Sequence, residues 1–567
     1  MCGSALEKSS LAEMKIRILL LLLICFAKEN LFSQSTFIPL NLESYNYLGR
    51  LEIKSGTISD QLHFSALPLL RQNVVQFVDS VGKYLDSLPP VDTRNIDYLL
   101  TDNDEWSEYA GSKSKKPILR FLYRDKANFY QHRTDDFMVK VNPVFDFEIG
   151  RESASDQMLF TNTRGIELSG WVAKKVGYYF LVNENQARFP LYVRERIDSF
   201  GAVPGEGYYK NFKTDAVDFL SAKGYFDFKV AKFITVQFGN DKNFLGNGIR
   251  SLALSDFSED YLFLKLQTQV WKISYQNLFM DMTADFMRGG DTLLPRKYAA
   301  LHHLSLNATK FLNVGVWESV VFHRNDHFEL QYLNPIIFYR SVEQLLGSPD
   351  NTMLGLDFRI IFLKHFSVYG QGMIDDFNFG ASKGESGYWG NKYGLQLGAK
   401  YIDAFTVSNL DLQVEWNHVR PYVYTHDDTV ANYSNYNQPL AHPLGANLNE
   451  WIGVIRYQPV FRFTFQWRLI AAYSGRDTSG SNWGSDIFIP STESTIETVY
   501  GNKTGQGVSS NLLLSELSIT YMIRHNIFID AGYVYRKTKS ELPAFAASSN
   551  IFQFGVRMNI SKRSFQF

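Results

Sequence analysis

The chain has 567 residues and a formal net charge of −1, and aromatic side chains make up 15% of it, with 45 Phe and 32 Tyr. A near-neutral charge excludes the basic surface that nucleic-acid-binding proteins carry, so we expect no nucleic-acid partner. This length suits two or three ordinary domains, or one large barrel with a small domain. The aromatic content is typical of an all-β protein with much exposed aromatic surface.

Residues 1–33 have the pattern of a secretory signal peptide. Lys15 and Arg17 form a positive start, an apolar run extends from Ile18 to Ala27, and Ser33 supplies a small residue at the predicted cleavage point. The apolar run is too short to span a membrane as a helix. Both cysteines precede the cleavage point. We therefore expect Sec-dependent export of a mature chain without disulfides.

Residues 34–135 are predicted to form a small, mostly helical domain. Apolar Leu70, Val74, Phe77, Val81 and Leu85 recur at helical spacing. The segment "TRNIDYLLTDNDEWSEYA" favours a second helix.

From residue 136 to residue 567 the apolar period changes to two. In "DFMVKVNPVFDFEIG", apolar Phe137, Val139 and Val141 alternate with polar Lys140 and Asn142. Such segments recur about eighteen times, each near the roughly ten residues that a tilted membrane-spanning strand needs. The sequence therefore predicts an all-β fold, a transmembrane antiparallel β-barrel of about 18 strands.

The connections between these segments alternate between short and long. Short turns such as "AKKVG" and "LKHFSV" often place a basic residue just before an aromatic one. The long connections span about 185–215, 241–260, 281–297, 323–352, 376–392, 418–448, 474–511 and 537–548. Outer-membrane barrels have short periplasmic turns and long extracellular loops. An even strand number leaves both barrel ends, and hence the helical domain, on the periplasmic side.

The terminal Phe567 follows an alternating strand, as an outer-membrane assembly signal does. We therefore expect outer-membrane lipid and the outer-membrane assembly machinery to be partners. The alternative is a secreted β-sandwich or propeller, which would need fewer outward apolar positions and more uniform loops.

Charged residues occupy the strand face opposite the apolar one. A Lys or Arg that faces lipid near the midplane costs about 2 to 4 kcal/mol, so this face must line the lumen. Its members are Lys140, Asp146, Glu148, Glu167, Asp227, Lys229, Lys265, Asp357, Arg359, Asp411, Gln413 and Glu415. We expect these groups to pair with one another across the lumen. The alternative is the lining of an ion-selective or sugar-selective channel.

Two long connections carry residues suited to carbohydrate. Arg420, Tyr422 and Tyr424 lie where a strand meets a loop, and Trp389 and His442 lie in loops rich in Gly, Asn and Tyr. Flat rings stack on sugar faces, and Arg binds hydroxyl or carboxylate groups. These five residues are candidate polysaccharide contacts, although the same composition also fits solvated loop tips.

The stretch "FGNDKNFLGNGIRSLALSD", residues 238–256, is rich in glycine but is not a phosphate loop. No Lys-Ser or Lys-Thr follows its last glycine, and the glycines lack dinucleotide-binding spacing. We interpret it as an extracellular hairpin loop in which Asp241 and Arg250 form lumen-facing pairs or contact glycan.

No catalytic or metal-binding motif is evident. The eleven histidines and the cysteines lack zinc-ligand spacing, and a Gly-x-Ser-x-Gly elbow is missing. Asp411 and Glu415 could be interpreted as a glycosidase pair, but acids are common in any barrel lumen. We predict no metal, no cofactor and no enzymatic activity.

Five segments resemble those of the Wzi-type capsule-assembly outer-membrane proteins, in particular the branch of the gliding-motility protein RemB. They are "YNYLGRLEIKSG", "FGNDKNFLGNGIRSLALSD", "LQYLNPIIFYR", "VEWNHVRPYVYTH" and "HPLGANLNEW". They occur in family order between about residues 43 and 451.

The resemblance implies an eighteen-stranded outer-membrane barrel with a periplasmic helical bundle. It implies a surface lectin, not an enzyme, that binds capsular or other extracellular polysaccharide and helps its attachment or assembly. Two alternatives are a substrate-selective porin and a structural or adhesion component of a gliding-motility apparatus, which would have other envelope or motility proteins as partners.

Overall fold

The computed structural model describes residues 35–84, 88–107, 109–285, 293–324, 327–381 and 386–567. Eighteen long antiparallel strands close a barrel. They are β1 (Phe137–Glu152), β2 (Ser155–Val172), β3 (Val176–Arg188), β4 (Ala216–Ala231), β5 (Ile234–Asp241), β6 (Tyr261–Val270), β7 (Ile273–Thr283), β8 (Arg296–Asn307), β9 (Leu312–Phe322), β10 (Asn351–Phe362), β11 (Phe366–Asp376), β12 (Lys392–Tyr401), β13 (Leu410–Val419), β14 (Leu448–Val460), β15 (Phe463–Arg476), β16 (Val508–Arg524), β17 (Ile527–Ser540) and β18 (Ala547–Met558).

Helices are few and short among the described residues. They are α1 (Glu43–Ser55), α2 (Arg71–Tyr84), α3 (Pro90–Asp102), α4 (Leu191–Phe200) and α5 (Tyr339–Leu345). Two-residue to four-residue strands lie at Ala66–Leu67, Tyr130–Arg133, Lys210–Phe212, Phe244–Leu245, Ser434–Asn435 and Gln438–Pro439, and 3-10 turns at Ala110–Ser112, Leu330–Leu333, Ala404–Thr406 and Pro543–Phe545. None of the described helices is long and apolar enough to cross a membrane. The predicted signal peptide lies outside the described residues.

The barrel closes because its last strand pairs with its first. Strand β18 runs antiparallel to β1, with Ile551 opposite Glu152 and Met558 opposite Phe145. Closure removes the unpaired edges that an open sheet would expose. The predicted all-β barrel of about 18 strands is confirmed.

Alternation along each strand separates an apolar outer wall from a polar interior. On β4, Phe226 is exposed on the outside whereas the next residue, Asp227, is fully buried. Leu356 on β10 and its neighbour Asp357 repeat this arrangement. The pattern suits a wall that faces lipid and an interior that holds charge.

The connections divide the barrel into two ends. The short-turn end carries turns such as 173–175, 232–233 and 271–272, and the long-loop end carries the long connections. One connection departs from the alternation, because only residues 153–154 join β1 to β2 at the long-loop end. Both barrel termini lie at the short-turn end, as expected for an even number of strands.

The N-terminal helical region is present and packs into the short-turn end of the barrel. Leu48 of α1, Phe77 of α2 and Leu99 of α3 share one buried cluster with Met522 and Phe528 of the barrel. Apolar side chains of the helices and of the barrel pack against one another, so the N-terminal region forms a plug against the barrel.

A connection from the opposite end meets this plug inside the lumen. Residues 242–260 fold inward, and Leu252, Ala253 and Leu254 are fully buried. Ala66 pairs with Leu245 in a two-stranded sheet, and the Gly246 amide donates to the Ser65 carbonyl over 2.9 Å. We call residues 242–260 the inward loop.

The expectation that lumen charges pair across the barrel is largely wrong, because most of their partners belong to the plug or the inward loop. Lys140 Nζ lies 2.6 Å from Asp104 Oδ1, and Arg359 Nη1 lies 2.5 Å from Glu52 Oε2. Asp411 binds Arg50 of α1. Asp357 does pair with a strand residue, His303, at 2.8 Å. The charged lining therefore holds the segments that fill the lumen.

Phe567 follows the last strand but is separated from it by eight residues. Strand β18 ends at Met558, and the following residues run inside the barrel. Phe567 is buried against Tyr192, at a ring-centroid distance of 5.7 Å, and under the Arg196 guanidinium at 4.5 Å. Phe567 thus belongs to a buried apolar cluster with Phe189 and Val193.

Candidate functional site

Three long connections come together at the long-loop end, and we call their contact region the loop cluster (377–391, 420–447 and 477–507). The Trp389 amide donates to the Val499 carbonyl over 3.0 Å, and the Tyr422 amide donates to the Gly484 carbonyl over 2.9 Å. These hydrogen bonds satisfy backbone groups that strands would otherwise pair. The cluster is therefore an ordered surface built from segments distant in sequence.

Aromatic rings form the body of the loop cluster. Trp389 meets Tyr422 edge to face at a centroid distance of 5.9 Å, and Tyr388 lies 5.5 Å from Tyr500. Tyr422 is fully buried, Tyr388 and Trp389 are half-buried, and Tyr500 is 37% exposed. The buried ring supports the outer rings, which offer flat apolar faces to solvent.

Arg420 adds a cation beneath these rings. Its guanidinium lies 5.4 Å from the Tyr393 ring centroid, and Nη2 lies 3.4 Å from the Tyr388 carbonyl and 3.5 Å from the Asn502 carbonyl. Among the described residues, the buried Arg420 Nε and Trp389 Nε1 have no hydrogen-bond partner. Buried donors normally have partners, so these two retain hydrogen-bonding capacity.

Tyr422 has an unusual backbone conformation, with φ at +66°. A bulky residue in the left-handed region is strained, and the surrounding contacts must stabilise it. Gly484 is one such contact, since a Cβ atom there would lie 2.5 Å from the Tyr422 amide nitrogen. The tyrosyl oxygen also donates to the Asn482 carbonyl over 2.8 Å.

The structure thus brings together Trp389, Arg420 and Tyr422 of the seven predicted contacts, whereas the side chains of the other four contact the inward loop or residues that hold it. Tyr424 donates to the Leu252 carbonyl over 3.1 Å. Asp241 lies 3.3 Å from Lys223 Nζ and also accepts from the Lys242 amide. His442 and Arg250 both bind Glu450. These four side chains hold the inward loop or its base, and their role in glycan contact stays a prediction.

A close contact with Glu415 explains why the inward loop needs a glycine at position 248. Glu415 of β13 accepts hydrogen bonds from the Ile249 and Arg250 amides at 2.6 and 2.9 Å. A Cβ atom on Gly248 would lie 2.6 Å from the same carboxylate. The loop can approach this carboxylate so closely because residue 248 has no side chain.

Sequence reasoning missed Tyr388, Tyr500 and Asn502. Tyr388 is next to a predicted residue, so its position was accessible from the sequence. Tyr500 and Asn502 lie about 110 residues further along, in a connection without a recognisable motif, and only the fold brings them to Trp389.

The sequence model of the family described as capsule assembly protein Wzi matches residues 138–546, which include all the loops of the cluster. The chain belongs to the Wzi capsule assembly family. The family resemblance expected from the sequence is confirmed at this level, and this Wzi-family barrel is an outer-membrane protein. Since outer-membrane barrels have periplasmic turns and extracellular loops, we expect the short-turn end to face the periplasm and the loop cluster to face the cell exterior.

The chain aligns with several solved structures, and that of Escherichia coli Wzi shares its fold. The Escherichia coli Wzi structure, described as an outer-membrane protein involved in group 1 capsule assembly and a carbohydrate-binding β-barrel, aligns at 14% identity and a TM-score of 0.56. The alignment covers 93% of this chain and 100% of that one. Pseudomonas aeruginosa OprD aligns at 11% identity and a TM-score of 0.41, over 74% and 94% of the two chains. Acinetobacter baumannii OccAB2 aligns at 9% identity and a TM-score of 0.44, over 74% of this chain and 97% of that one. Among curated proteins the sequence has no match.

Proposed function

We propose that this outer-membrane barrel binds a surface or capsular polysaccharide at the loop cluster and helps attach or assemble it at the cell surface. The observation that carries the proposal is the grouping of Tyr388, Trp389 and Tyr500 above Arg420 on the extracellular side. Ring faces stack on sugars, and the guanidinium suits hydroxyl or uronate oxygens. Family membership and the carbohydrate binding described for E. coli Wzi support the same conclusion.

The filled lumen favours binding over transport. The inward loop and the N-terminal plug meet inside the barrel, and the lumen charges Lys140, Arg359 and Asp411 are engaged by plug residues. A selective channel would need such groups to be available to a solute. In planar bilayers we expect no stable conductance that sugar blocks, and such a conductance would favour the porin alternative.

We also propose that the protein binds polysaccharide without hydrolysing it. Asp411 binds Arg50, and Glu415 accepts two backbone amides and the Tyr369 hydroxyl. A glycosidase pair needs one free acid and one free carboxylate on either side of a sugar. The engagement of both groups within the protein supports a binding role.

The decisive experiment measures polysaccharide binding by purified variants. Arg420→Ala combined with Tyr500→Ala removes the cation and the exposed ring, and we expect affinity for the strain's own isolated surface polysaccharide to fall about tenfold or more. Phe379→Ala is the matched control, because Phe379 is an exposed aromatic in the connection of Tyr388 and Trp389 but lies outside the ring group. Unchanged affinity in a folded double variant would overturn the proposal.

The RemB-like gliding branch remains a second proposal about the cellular role. A deletion strain that keeps its polysaccharide attached but spreads poorly would favour an adhesion or motility component. Loss of attached polysaccharide would favour the capsule role.

A further inference from the structure

A cavity of about 600 Å³ lies at the periplasmic end of the barrel, far from the loop cluster. It lies between α3 and the two turns that follow β14 and β16. Tyr98 of α3 forms its inner side, stacked on His525 at 4.3 Å and hydrogen-bonded to Asn526. The cavity is therefore a junction between the plug and the barrel rim.

The lining of this cavity is cationic. Lys126, Arg462 and Arg524 are exposed around it, and Arg94 of α3 adds a fourth charge. Among its described lining residues Asp97 is the one carboxylate, and it already accepts from the Tyr109 hydroxyl at 2.6 Å and pairs with Arg94 at 3.5 Å.

The two barrel arginines make few contacts of their own. The Arg462 guanidinium donates to the Ile523 carbonyl at 3.3 Å, and within the described residues the Arg524 guanidinium forms no hydrogen bond or ion pair. Lys126 binds the Gly111 carbonyl, which carries no net charge. Three positive charges therefore lack a carboxylate partner among the described residues.

The other side of the cavity is apolar and continuous with the lipid-facing wall. Val460 is 58% exposed and Tyr521 is 42% exposed. Tyr521 lies four residues from Leu517 on β16, so both side chains face outward, and Leu517 pairs with the outward Trp467. The cavity thus opens where the barrel's membrane surface meets the periplasm.

Other turns at the same end of the barrel also carry neighbouring basic and aromatic side chains, but these do not line the cavity. Lys232 lies 5.1 Å from the Phe233 ring centroid and Lys272 lies 5.5 Å from Trp271, with both aromatic rings exposed. Adjacent basic and aromatic residues of this kind suit the boundary between acyl chains and headgroups.

We propose that this cavity binds the anionic phosphate headgroup of a glycerophospholipid in the periplasmic leaflet, with its acyl chains along Val460 and Tyr521. Clustered Lys and Arg side chains at a membrane surface attract anionic headgroups, and Arg pairs with phosphate oxygens through two hydrogen bonds. A bound headgroup would join Arg94 and Lys126 of the plug to Arg462 and Arg524 of the barrel. The lipid would then help to hold the plug in place. An acidic glycan would match the charge but not the apolar wall.

Native mass spectrometry of the full-length protein in detergent tests this proposal. After addition of phosphatidylglycerol, we expect a bound lipid to survive detergent removal. Arg462→Gln combined with Arg524→Gln should lower its occupancy about tenfold. The matched control is Lys174→Gln with Lys175→Gln, which removes two exposed charges from another periplasmic turn. The control should retain the lipid.

Competition with other anions tests whether the cavity prefers a lipid headgroup. Heat-modifiable electrophoretic mobility identifies the variants that have a folded barrel. Inorganic phosphate, added in excess, should leave the lipid bound. Equal lipid loss in both double variants, displacement of the lipid by inorganic phosphate, or preferential binding of the isolated acidic polysaccharide would each overturn the proposal. The Arg462→Lys, Arg524→Lys variant should keep most of the lipid, and its failure to do so in a folded barrel would also count against a headgroup site.

Discussion

Arg250 of the inward loop and Glu450 of β14 meet inside the barrel, with Nη2 2.7 Å from Oε1 and both side chains buried. His442 approaches the same carboxylate at 3.0 Å, and Asn417 donates to it at 3.1 Å. One acidic group thus joins the inward loop, the 420–447 connection and the barrel wall.

Breaking this pair should release the inward loop. Arg250→Ala leaves the Glu450 carboxylate buried with less compensation, and we expect the inward loop to lose about 3 to 5 kcal/mol of docking free energy. Limited proteolysis of residues 242–260 measures the effect. Arg296→Ala is the control, because its pair with Asp281 is partly exposed to solvent and should contribute at most about 1 kcal/mol. Equal protease resistance in both variants would contradict a fastening role for Arg250.

The barrel was predictable because a membrane imposes its chemistry on every strand. Apolar side chains must face lipid and charged ones must face the lumen, so the period of two in segments such as Phe137–Glu152 follows directly from the surroundings. The filling of the lumen was not predicted. Leu252 and Leu254, in a loop assigned to solvent, were the available signal.

The loop cluster was predicted in part. Arg420 and Tyr422 lie at a strand end with obvious carbohydrate chemistry, and Trp389 is the only tryptophan of its connection. Tyr500 could not be chosen among many loop tyrosines, because its partnership with Tyr388 arises from packing between distant segments.

The lumen segment around His63 should respond to mildly acidic pH. Burial, with a contribution from nearby His303, lowers the pKa of His63 to about 4, against about 6.5 in an unfolded chain. Protonation therefore favours release of the segment. Its full stability is present above about pH 6.5, and up to about 3 kcal/mol is lost as the pH falls to about 4. Hydrogen exchange of residues 57–70 across this range should show increasing opening. His63→Gln should flatten the profile, and an unchanged slope in that variant would assign the pH effect to other groups.

We expect the loop cluster to require Gly484 for two reasons. Its backbone has a positive φ, and a side chain there would collide with Tyr422. Gly484→Ala puts a Cβ atom 2.5 Å from the Tyr422 amide nitrogen at φ +78°, and we expect lost polysaccharide binding together with a loosened 477–507 connection. Gly480→Ala is the matched control, since φ is +85° there but no atom lies within 4 Å. Gly480→Ala should lower stability only by the cost of backbone strain, about 1 kcal/mol. Similar losses in both variants would show that strain alone is responsible.

Arg50 should fasten the plug to the barrel through a cluster of acids. It binds Asp92 of α3, Asp403 of a turn at the short-turn end and Asp411 of β13. Arg50→Ala leaves these carboxylates without their main partner, so we expect a loss of about 3 to 5 kcal/mol in plug docking at neutral pH. Protease access to residues 35–84 measures this loss.

The pH dependence of the Arg50→Ala variant provides a sharper test. Burial opposes ionisation of Asp403, but Arg50 outweighs it and lowers the pKa of Asp403 to about 2; the pKa of Asp92 is lowered as well. In the wild type these depressed values stabilise docking above the unfolded pKa of about 3.9, and this stability is lost as the pH falls through the folded values. Without Arg50 the acids protonate more readily, so the difference between variant and wild type should shrink below about pH 4. Arg164→Ala, which loses an exposed pair with Glu184 on the barrel strands, should show little effect at either pH. A difference between Arg50→Ala and wild type that stays constant from pH 7 to pH 3 would mean that Arg50 acts through packing and not through its carboxylate partners.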